Sequence, residues 1–347
     1  MNPKFLLLLA LVTPSAISSI QITDDLRLSG FGTQTAVITD QSIPVFYDAN
    51  FTDEWCFDCD TTLGIQLDWA MSEGLRSSIQ VVKSQKNEFS NPDIEWGYIA
   101  YQQAEITAKL GRLRLPMYMV SEYYYVSEAY PWIRPPQDVY DSTFGLTYFN
   151  GLSLEWNKWV GESSSLRISP FIATPSSSDH ERYGFNFEIE TEKTLGFSAD
   201  LSNENGLIRM SYVHTAYMQD IEGGPKIHDQ LNMLNFGGQY LWNNINIMSE
   251  LVLSHKLHSN WYVSVNYLFN NWTPYVTYGQ RRKLDDNESI LIGAKYSIIA
   301  NLSAYLEWQH VTGREEANSG HFTQPQNPQT KIETDVNIYS VGLSFTF

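Results

Sequence analysis

The chain has 347 residues, with 22 Lys and Arg against 39 Asp and Glu, and a formal net charge of −17. This balance excludes the basic footprint that nucleic-acid binding needs. No run of 18 apolar residues occurs, which excludes a transmembrane helix, and the length suits either two soluble domains or one large all-β unit.

The N-terminus has the three parts of a secretory signal. Lys4 supplies a positive charge, residues 5–12 are apolar, and Ala16, Ile17 and Ser18 form a small-x-small cleavage site. We therefore expect residues 1–18 to be a signal peptide and residues 19–347 to form a single domain.

The rest of the chain consists of short segments in which apolar and polar residues alternate. In the second segment Leu63, Ile65, Leu67 and Trp69 share one face, and period two over this length predicts a β-strand. No segment with helical periodicity interrupts the series. The predicted strands are 26–38, 61–71, 75–83, 94–101, 105–110, 144–148, 152–156, 166–172, 183–189, 195–201, 208–217, 233–242, 245–253, 261–269, 274–281, 290–296, 302–311 and 336–347.

The connections between these strands are of two lengths. Tight turns are predicted at 73–74, 150–151, 203–206 and 243–244, and the Asn-Gly pair at 150–151 is the strongest short hairpin signal. Long connections are predicted at 39–60, 112–142, 218–231 and 314–334. Transmembrane β-barrels have this asymmetry, with long loops at one end and short turns at the other.

The literal strand count is about 18, and a barrel with both ends of its chain on one side needs an even number. Two runs, 166–172 and 274–281, contain a proline, and a closed barrel has no free edge for one. We therefore predict an antiparallel transmembrane barrel of 16 strands, with 18 as the alternative.

One face of the strands is apolar and aromatic, and the other carries the charges. Soluble sandwiches also alternate, but the signal peptide, the Trp and Tyr residues of the apolar face and the terminal strand ending in Phe347 favour a membrane barrel. The predicted lumen wall contains Asp68, Arg76, Glu95, Glu105, Lys109, Glu155, Arg167, Glu188, Glu190, Asp200, Arg209, Glu250, Arg281, Lys295 and Glu307.

The long connection at 112–142 reads as neither strand nor amphipathic helix. Ordered loops of this length are usually functional, and its charged and aromatic residues suit an ion filter in an aqueous pore. We predict that it folds into the lumen and narrows it; the alternative is an outer loop that packs on a neighbouring subunit or covers the mouth. The predicted constriction residues are Arg112, Arg114, Glu122, Tyr123, Glu128, Arg134, Asp138 and Asp141.

The two cysteines and seven histidines are the candidates for metal binding, disulfide formation or catalysis. Cys56 and Cys59 lie in an acidic connection that includes Asp58 and Asp60. In an oxidising compartment a disulfide is favoured over a metal site, since two cysteines do not complete a structural zinc site. The histidines have no catalytic spacing, so no enzyme activity, cofactor or metal is predicted.

The last strand resembles the C-terminal signature of Gram-negative outer-membrane proteins, through Tyr339, Val341, Leu343, Phe345 and Phe347. Residues 28–32 (Leu-Ser-Gly-Phe-Gly) look like the first strand of proteobacterial porins, and the whole chain is similar to trimeric general porins. The acidic Pro-Glu-Phe-Gly-Gly-type loop motif of that family is absent, and residues 111–116 and 129–136 stand in its place.

This resemblance implies a homotrimer in the outer membrane, in contact with lipid and lipopolysaccharide, whose third extracellular loop forms the constriction. It implies passive diffusion of small hydrophilic solutes and ions, and the small excess of carboxylates in the predicted lumen suggests mild cation preference. Two alternatives remain: a surface-binding or adhesion barrel with a plugged lumen, and an outer-membrane hydrolase.

Overall fold

The structure describes residues 19–46, 49–84, 91–140, 147–182, 185–221, 224–255, 259–283, 286–313, 321–324, 326 and 333–347. The predicted signal peptide and Asp141 lie outside the described residues. Among the described residues, no helix has the length and apolar character to cross a membrane.

In the computed structural model eighteen strands form one antiparallel sheet. In chain order they are β1 (Ile20–Thr23), β2 (Leu26–Thr39), β3 (Thr62–Ser72), β4 (Leu75–Lys83), β5 (Asp93–Gln103), β6 (Ile106–Arg114), β7 (Tyr148–Val160), β8 (Ser164–Ala173), β9 (Ser176–Arg182), β10 (Phe185–Asn203), β11 (Gly206–Ile221), β12 (Ile227–Trp242), β13 (Ile245–Ser254), β14 (Ser259–Tyr267), β15 (Trp272–Arg281), β16 (Asn287–Ile299), β17 (Leu302–Gly313) and β18 (Asp335–Thr346).

Sixteen of these strands close into a barrel, as predicted. Closure comes from the pairing of β18 with β2 and of β8 with β10. The other two strands are additions: β1 pairs with the beginning of β2, and β9 pairs with the first half of β10. β8 and β9 occupy one position in the wall, interrupted at Thr174 and Pro175.

The count of 16 has a different origin from the predicted one, because two pairs of predicted strands are each one strand. Tyr148, the last residue of run 144–148, and the whole of run 152–156 belong to β7, so the predicted hairpin at Asn150 and Gly151 is wrong; residues 144–146 lie outside the described residues. The described part of run 183–189, from Phe185, and the whole of run 195–201 belong to β10. Gly151 has a packing role inside this continuous strand. A Cβ at this position would clash with the carbonyl oxygen of Ile172 on β8, so the two strands approach as closely as only glycine allows.

The two proline-containing runs are barrel strands after all, β8 and β15. In β8, the register with β7 is interrupted at Ser169 and Pro170, so the missing N–H falls where pairing stops. In β15, Pro274 pairs with Ala294 on one side, and on the other side the register with β14 ends at Tyr275. Each proline therefore sits at a local gap in the sheet.

The ends of the barrel differ as expected, with one exception. The turns between β3 and β4, β5 and β6, β10 and β11, and β12 and β13 have two residues each and lie at one end. The predicted long connection at 218–231 is wrong, because β11 continues to Ile221 and β12 begins at Ile227. These strands are long, so alternating polar residues continue beyond the predicted strand ends.

The exterior of the wall is apolar and the interior polar. Leu110 and Leu306 are more than 60% exposed on the outside, whereas Ser303 and Ser264 are fully buried on the inside. Exposed Trp69, Trp159, Trp242 and Trp272 lie near the short turns, where an aromatic girdle is expected at the membrane interface.

Candidate functional site: the lumen and its inward segment

Residues 115–140, called the inward segment below, leave the end of β6 and run inside the barrel. They contain short 3-10 helices at Ser121–Tyr123 and Ser127–Ala129 and the one-turn helix α1 at Gln137–Tyr140. The Trp132 indole N–H donates to the Thr277 hydroxyl of β15 at 2.9 Å. The Ser127 carbonyl accepts from the Tyr305 hydroxyl of β17 at 2.9 Å. The segment is therefore fixed to the lumen wall far along the chain from its own ends.

Two buried glutamates of the wall bind the backbone of the inward segment. Glu250 on β13 accepts from the Met119 N–H at 2.7 Å, and Glu307 on β17 accepts from the Ile133 N–H at 2.8 Å. Each carboxylate lies within a few per cent of complete burial. Charge-assisted bonds to backbone donors are among the stronger hydrogen bonds, so these two residues hold both halves of the segment.

Tyrosine hydroxyls complete the site around Glu250. Tyr140 of α1 and Tyr262 of β14 both donate to one carboxylate oxygen, and Asn235 donates to the other at 3.1 Å. Burial raises the pKa of Tyr140 well above its ordinary value, so this hydroxyl keeps its proton and remains a donor. The Glu250 carboxylate thus accepts four hydrogen bonds from the protein, so its oxygens are satisfied without water.

An apolar core fills the lumen on this side. Met117, Met119, Trp132 and Val139 are buried against apolar residues of the wall such as Tyr262. Glycines of the wall make room for the segment: a Cβ at Gly237 would meet Met119 at 2.5 Å, and one at Gly279 would overlap the Asp138 carboxylate. The segment and the wall are complementary in shape as well as in hydrogen bonding.

Three predicted constriction residues are paired to the wall or to another connection. Glu128 accepts from Ser303 and Ser344 and lies 3.1 Å from the ammonium group of Lys295. Asp138 accepts from the Ser289 hydroxyl at 2.7 Å. Asp138 is buried and the Glu128 side chain is only 12% exposed, so their charges fix the segment in place.

Arg134 forms a buried ion pair with Asp60 of the first long connection and donates to Ser340 at 3.0 Å. Asp60 is 1% exposed, although it belongs to an acidic connection whose Asp53, Glu54 and Asp58 are exposed. Burial raises the pKa of the Asp60 carboxyl in spite of the neighbouring Arg134 guanidinium. The pair joins the inward segment to the first connection, which with Phe322 forms a second apolar core near the long-loop mouth.

The structure separates Arg112 from Arg114. Arg114 lies inside, where it forms a buried ion pair with Glu95 and donates to the Ser121 carbonyl at 3.0 Å. Arg112 lies on the outer face: it pairs across the sheet with Asn150 and is stacked 4.1 Å over Tyr148. Alternation places Arg112 on the outer face of exposed Leu110. The same rule would place Arg114 there, so the inward position of Arg114, the last residue of β6, departs from alternation.

Glu122 and Tyr123 lie where the segment faces the opposite wall. Glu122 is 45% exposed and lies 3.6 Å from Arg167 of β8, and Tyr123 packs partly buried against the lumen core. Arg167 also pairs with Asp200 of β10 at 2.6 Å. Arg209 on β11 binds the same Asp200 and donates to the Tyr118 carbonyl at 2.5 Å.

Some of the other residues predicted to line the lumen wall do so in the structure, and some do not. Lys109 pairs with Glu155 inside, and Arg281 contacts His321 at 3.0 Å. Asp68 accepts from Gln66 at 2.7 Å, and Arg76 is exposed near the short turns. Three acidic residues are not on the lumen wall: Glu105 bonds outward-facing Trp156, and Glu188 and Glu190 face away from buried Ile189.

A cavity of about 240 Å³ lies between the inward segment and the wall of β5–β8 and β10. It is a part of the lumen that the segment does not fill, and both aromatic and charged side chains line it. Its lining includes Trp96, Tyr98, Lys109, Arg114, Glu122, Phe149, Glu155 and Arg167. Trp96 donates to Ser78 at 3.1 Å, which fixes its ring.

Cys56 and Cys59 form a disulfide in the first connection, with Cα atoms 5.9 Å apart. The connection also pairs with β2, since Cys56 and Val37 exchange two backbone hydrogen bonds of 2.9 Å. It therefore continues the wall of the barrel above the beginning of β3.

The sequence matches no protein-family model, and no curated protein is significantly similar to it. Among solved structures it is similar to OmpF of Salmonella typhi in complex with daunomycin, with 13% identity, a TM-score of 0.66 and coverage of 95% of this chain and 100% of that chain. For an anion-selective porin of Comamonas acidovorans the values are 10%, 0.64, 93% and 99%. For a mutant of the Rh. blastica porin they are 12%, 0.54, 93% and 100%.

Identities this low support a common fold and nothing narrower. The agreement extends over nearly the whole of each chain. It includes the sixteen-stranded closed barrel that the strand pairing defines. The chain therefore has the fold of the porins.

Proposed function

We propose that the protein is a porin of the Gram-negative outer membrane that passes small hydrophilic solutes and ions by passive diffusion. The observation that carries this proposal is the charged cavity between the inward segment and the wall of β5–β8 and β10. Water-filled lumens lined by polar side chains are typical of channel barrels. The fold similarity to porins supports the same function.

In this proposal the inward segment is the constriction, and the solute path is displaced to one side of the lumen. Most of the segment's charged groups bind the wall, so the groups that face the solute are few. Glu122 and Arg167 are the most exposed of them, with side chains 45% and 31% exposed. Lys109, Glu155 and Arg114 complete the narrow part.

The charges of this passage are nearly balanced. Lys109 faces Glu155, Arg114 faces Glu95, and Arg167 faces both Glu122 and Asp200. Local pairs in a wet lumen cancel beyond a Debye length of about 10 Å at 0.1 M salt. We therefore propose a weakly selective channel in which the formal charge of −17 has little influence.

The proposal has further parts. The protein is secreted with residues 1–18 as a signal peptide, works without catalysis or a cofactor, and is embedded in lipid and lipopolysaccharide as a homotrimer. The exposed apolar exterior, with residues such as Ile65 and Leu306 more than half exposed, supports the membrane location.

Single-channel recording in planar bilayers tests the function. Purified protein should insert in steps of stable conductance, and liposomes that contain it should swell in small sugars. The half-filled lumen also suits a plugged barrel with a binding role at its outer loops. Insertion without conductance steps would support that second function and would refute the porin proposal.

A further inference from the structure

The outer wall carries an arginine that the pore does not use. Arg112 donates to the Ile94 carbonyl at 2.9 Å and to the Asn150 side chain at 3.2 Å, with its guanidinium over Tyr148. Around it are outward apolar residues, of which Leu110 is 64% and Ile94 45% exposed. A cation on this face is costly in a membrane unless it lies near the interface or has a partner.

No carboxylate of the described chain lies within ion-pair distance of Arg112. Its position two residues before the end of β6 places it towards the long-loop end of the wall. The planar guanidinium is half-buried on its tyrosine and already oriented. Such a group is suited to recognise a carboxylate or phosphate that comes from outside the chain.

A second feature at the same end has the opposite charge. Trp55 and Phe57 lie in the disulfide-braced part of the first connection, called the aromatic tip below. They are 55% and 62% exposed and stacked with centroids 6.3 Å apart. Exposed Asp53, Glu54 and Asp58 surround them. Large aromatic residues exposed on a rigid support are the residue types that anchor protein interfaces.

The two features are spaced correctly for a closed ring. The aromatic tip pairs with β2 and so occupies the position of β3 in the wall, and Arg112 lies on β6, three strands away. In a barrel of 16 strands, neighbouring strands are about 22.5° apart around the axis, so three strands span about 68°. Two patches that join copies head to tail close a ring of three when they are about 60° apart.

We propose that the aromatic tip of one copy docks on the outer wall of a second copy around Arg112 and Tyr148, and that three such contacts close the trimer. Asp53 and Glu54 would supply carboxylates for Arg112, and Trp55 would cover Tyr148 and Leu110. The acidic tip repels an anionic lipid surface, which favours the wall around Arg112 of another copy as its partner. This inference rests on the proposed membrane barrel and identifies the contact that assembles it.

Carbodiimide cross-linking tests the contact directly. Arg112→Lys keeps the charge and supplies an amine, so the zero-length reagent should join Lys at this position to Asp53 or Glu54 of another copy. Covalent trimers should appear on denaturing gels, and peptide mapping should identify the link. The matched control is Arg76→Lys, an exposed residue near the short turns, at the end of the wall opposite the aromatic tip, which should give no such link.

Charge exchange provides a second readout. Arg112→Glu should convert the trimer to monomers in detergent, and combination with Asp53→Lys and Glu54→Lys should restore it. Trp55→Ala should weaken association on the order of 30-fold, as truncation of an aromatic anchor does. Trimers that survive all of these changes without the cross-link would overturn the proposal.

Two outcomes distinguish the docking proposal from lipid binding at Arg112 and from the porin proposal. If Arg112→Glu leaves the trimer intact and reduces the lipopolysaccharide that copurifies, the site binds lipid phosphate and the docking proposal is wrong. Conductance is measured on the same samples. Monomers that still conduct would leave the porin proposal standing, whereas absence of conductance in the unmodified protein would refute that proposal without affecting the cross-link.

Discussion

The two sides of the lumen are built on the same strand pattern and do different things. On the side of β11–β18 the wall supplies Glu250, Glu307 and small residues such as Gly237, and the inward segment is packed onto it. On the side of β5–β8 the wall supplies aromatic rings and charge pairs, and a cavity remains. The contacts of the two sides indicate that the wall of this barrel determines where the inward segment lies as much as the segment itself does.

The packed side should be the more sensitive to substitution, and Glu250 is its most connected residue. Glu250→Gln replaces one oxygen by an amide group, so two of four donors lose their acceptor. Each such buried donor costs about 1–3 kcal/mol. We expect a loss of about 2–4 kcal/mol in the free energy of unfolding and noisier channels with altered conductance.

The matched control is Glu288→Gln on β16. Glu288 accepts hydrogen bonds from Tyr278 and Gln280 on the exposed face and is outside the lumen. Urea unfolding in lipid vesicles and single-channel noise should be close to those of the unmodified protein. Equal effects of the two substitutions would mean that Glu250 does not hold the inward segment.

Two adjacent glycines of β12 test the fit of the segment against the wall. Gly237→Ala would force Met119 away, whereas the nearest atom to a Cβ at Gly238 is 3.8 Å away. Overpacking costs about 1–3 kcal/mol, so Gly237→Ala should destabilise the protein and change the conductance. Gly238→Ala should do neither; a reversed order would place Met119 elsewhere.

The sequence predicts the barrel wall of this molecule better than the contacts of the inward segment in its lumen. Period-two alternation identified the wall and its lumen face, because each strand needs only its own residues to define two faces. It overestimated the number of segments, since a glycine such as Gly151 signals a turn locally and a close strand approach in the fold. The predicted total of 16 strands is nevertheless right. The prediction removes the two runs that contain a proline, whereas in the structure the number falls by two because two pairs of predicted strands are each one strand.

The site depends on contacts that lie far apart in the chain. Met119 and its partner Glu250 are separated by 131 residues, and no local pattern pairs them. The charged residues of 112–142 suggested a filter, but their number did not show that Glu128, Arg134 and Asp138 are used for attachment. Alternation predicts the outward position of Arg112, which follows outward Leu110 by two residues, but it does not predict the inward position of Arg114.

On the open side, the two arginines at the end of β6 form a natural comparison. Arg114→Ser leaves the carboxylate of Glu95 without its partner inside the lumen, and the reversal potential across a salt gradient should move towards cations. We expect the permeability ratio to change by about twofold at low salt, and less at high salt because of screening. Arg112→Ser, on the outer face, should leave the ratio unchanged; equal shifts would contradict the assigned faces.

The smallest expected effect concerns pH and the tie between the inward segment and the first connection. Because burial raises the pKa of Asp60 in the folded state, the folded protein binds this proton more tightly than the unfolded chain does. The contribution of Asp60 to stability is therefore fully present below the unfolded pKa and is lost as the pH rises through the raised folded pKa. Asp60→Asn removes the titration and keeps the size of the side chain. Measured by urea unfolding in vesicles, the stability of the unmodified protein relative to this variant should increase as the pH falls from 7 to about 4. A decrease over the same range would show that the Arg134 ion pair outweighs burial and that the pKa of Asp60 is lowered.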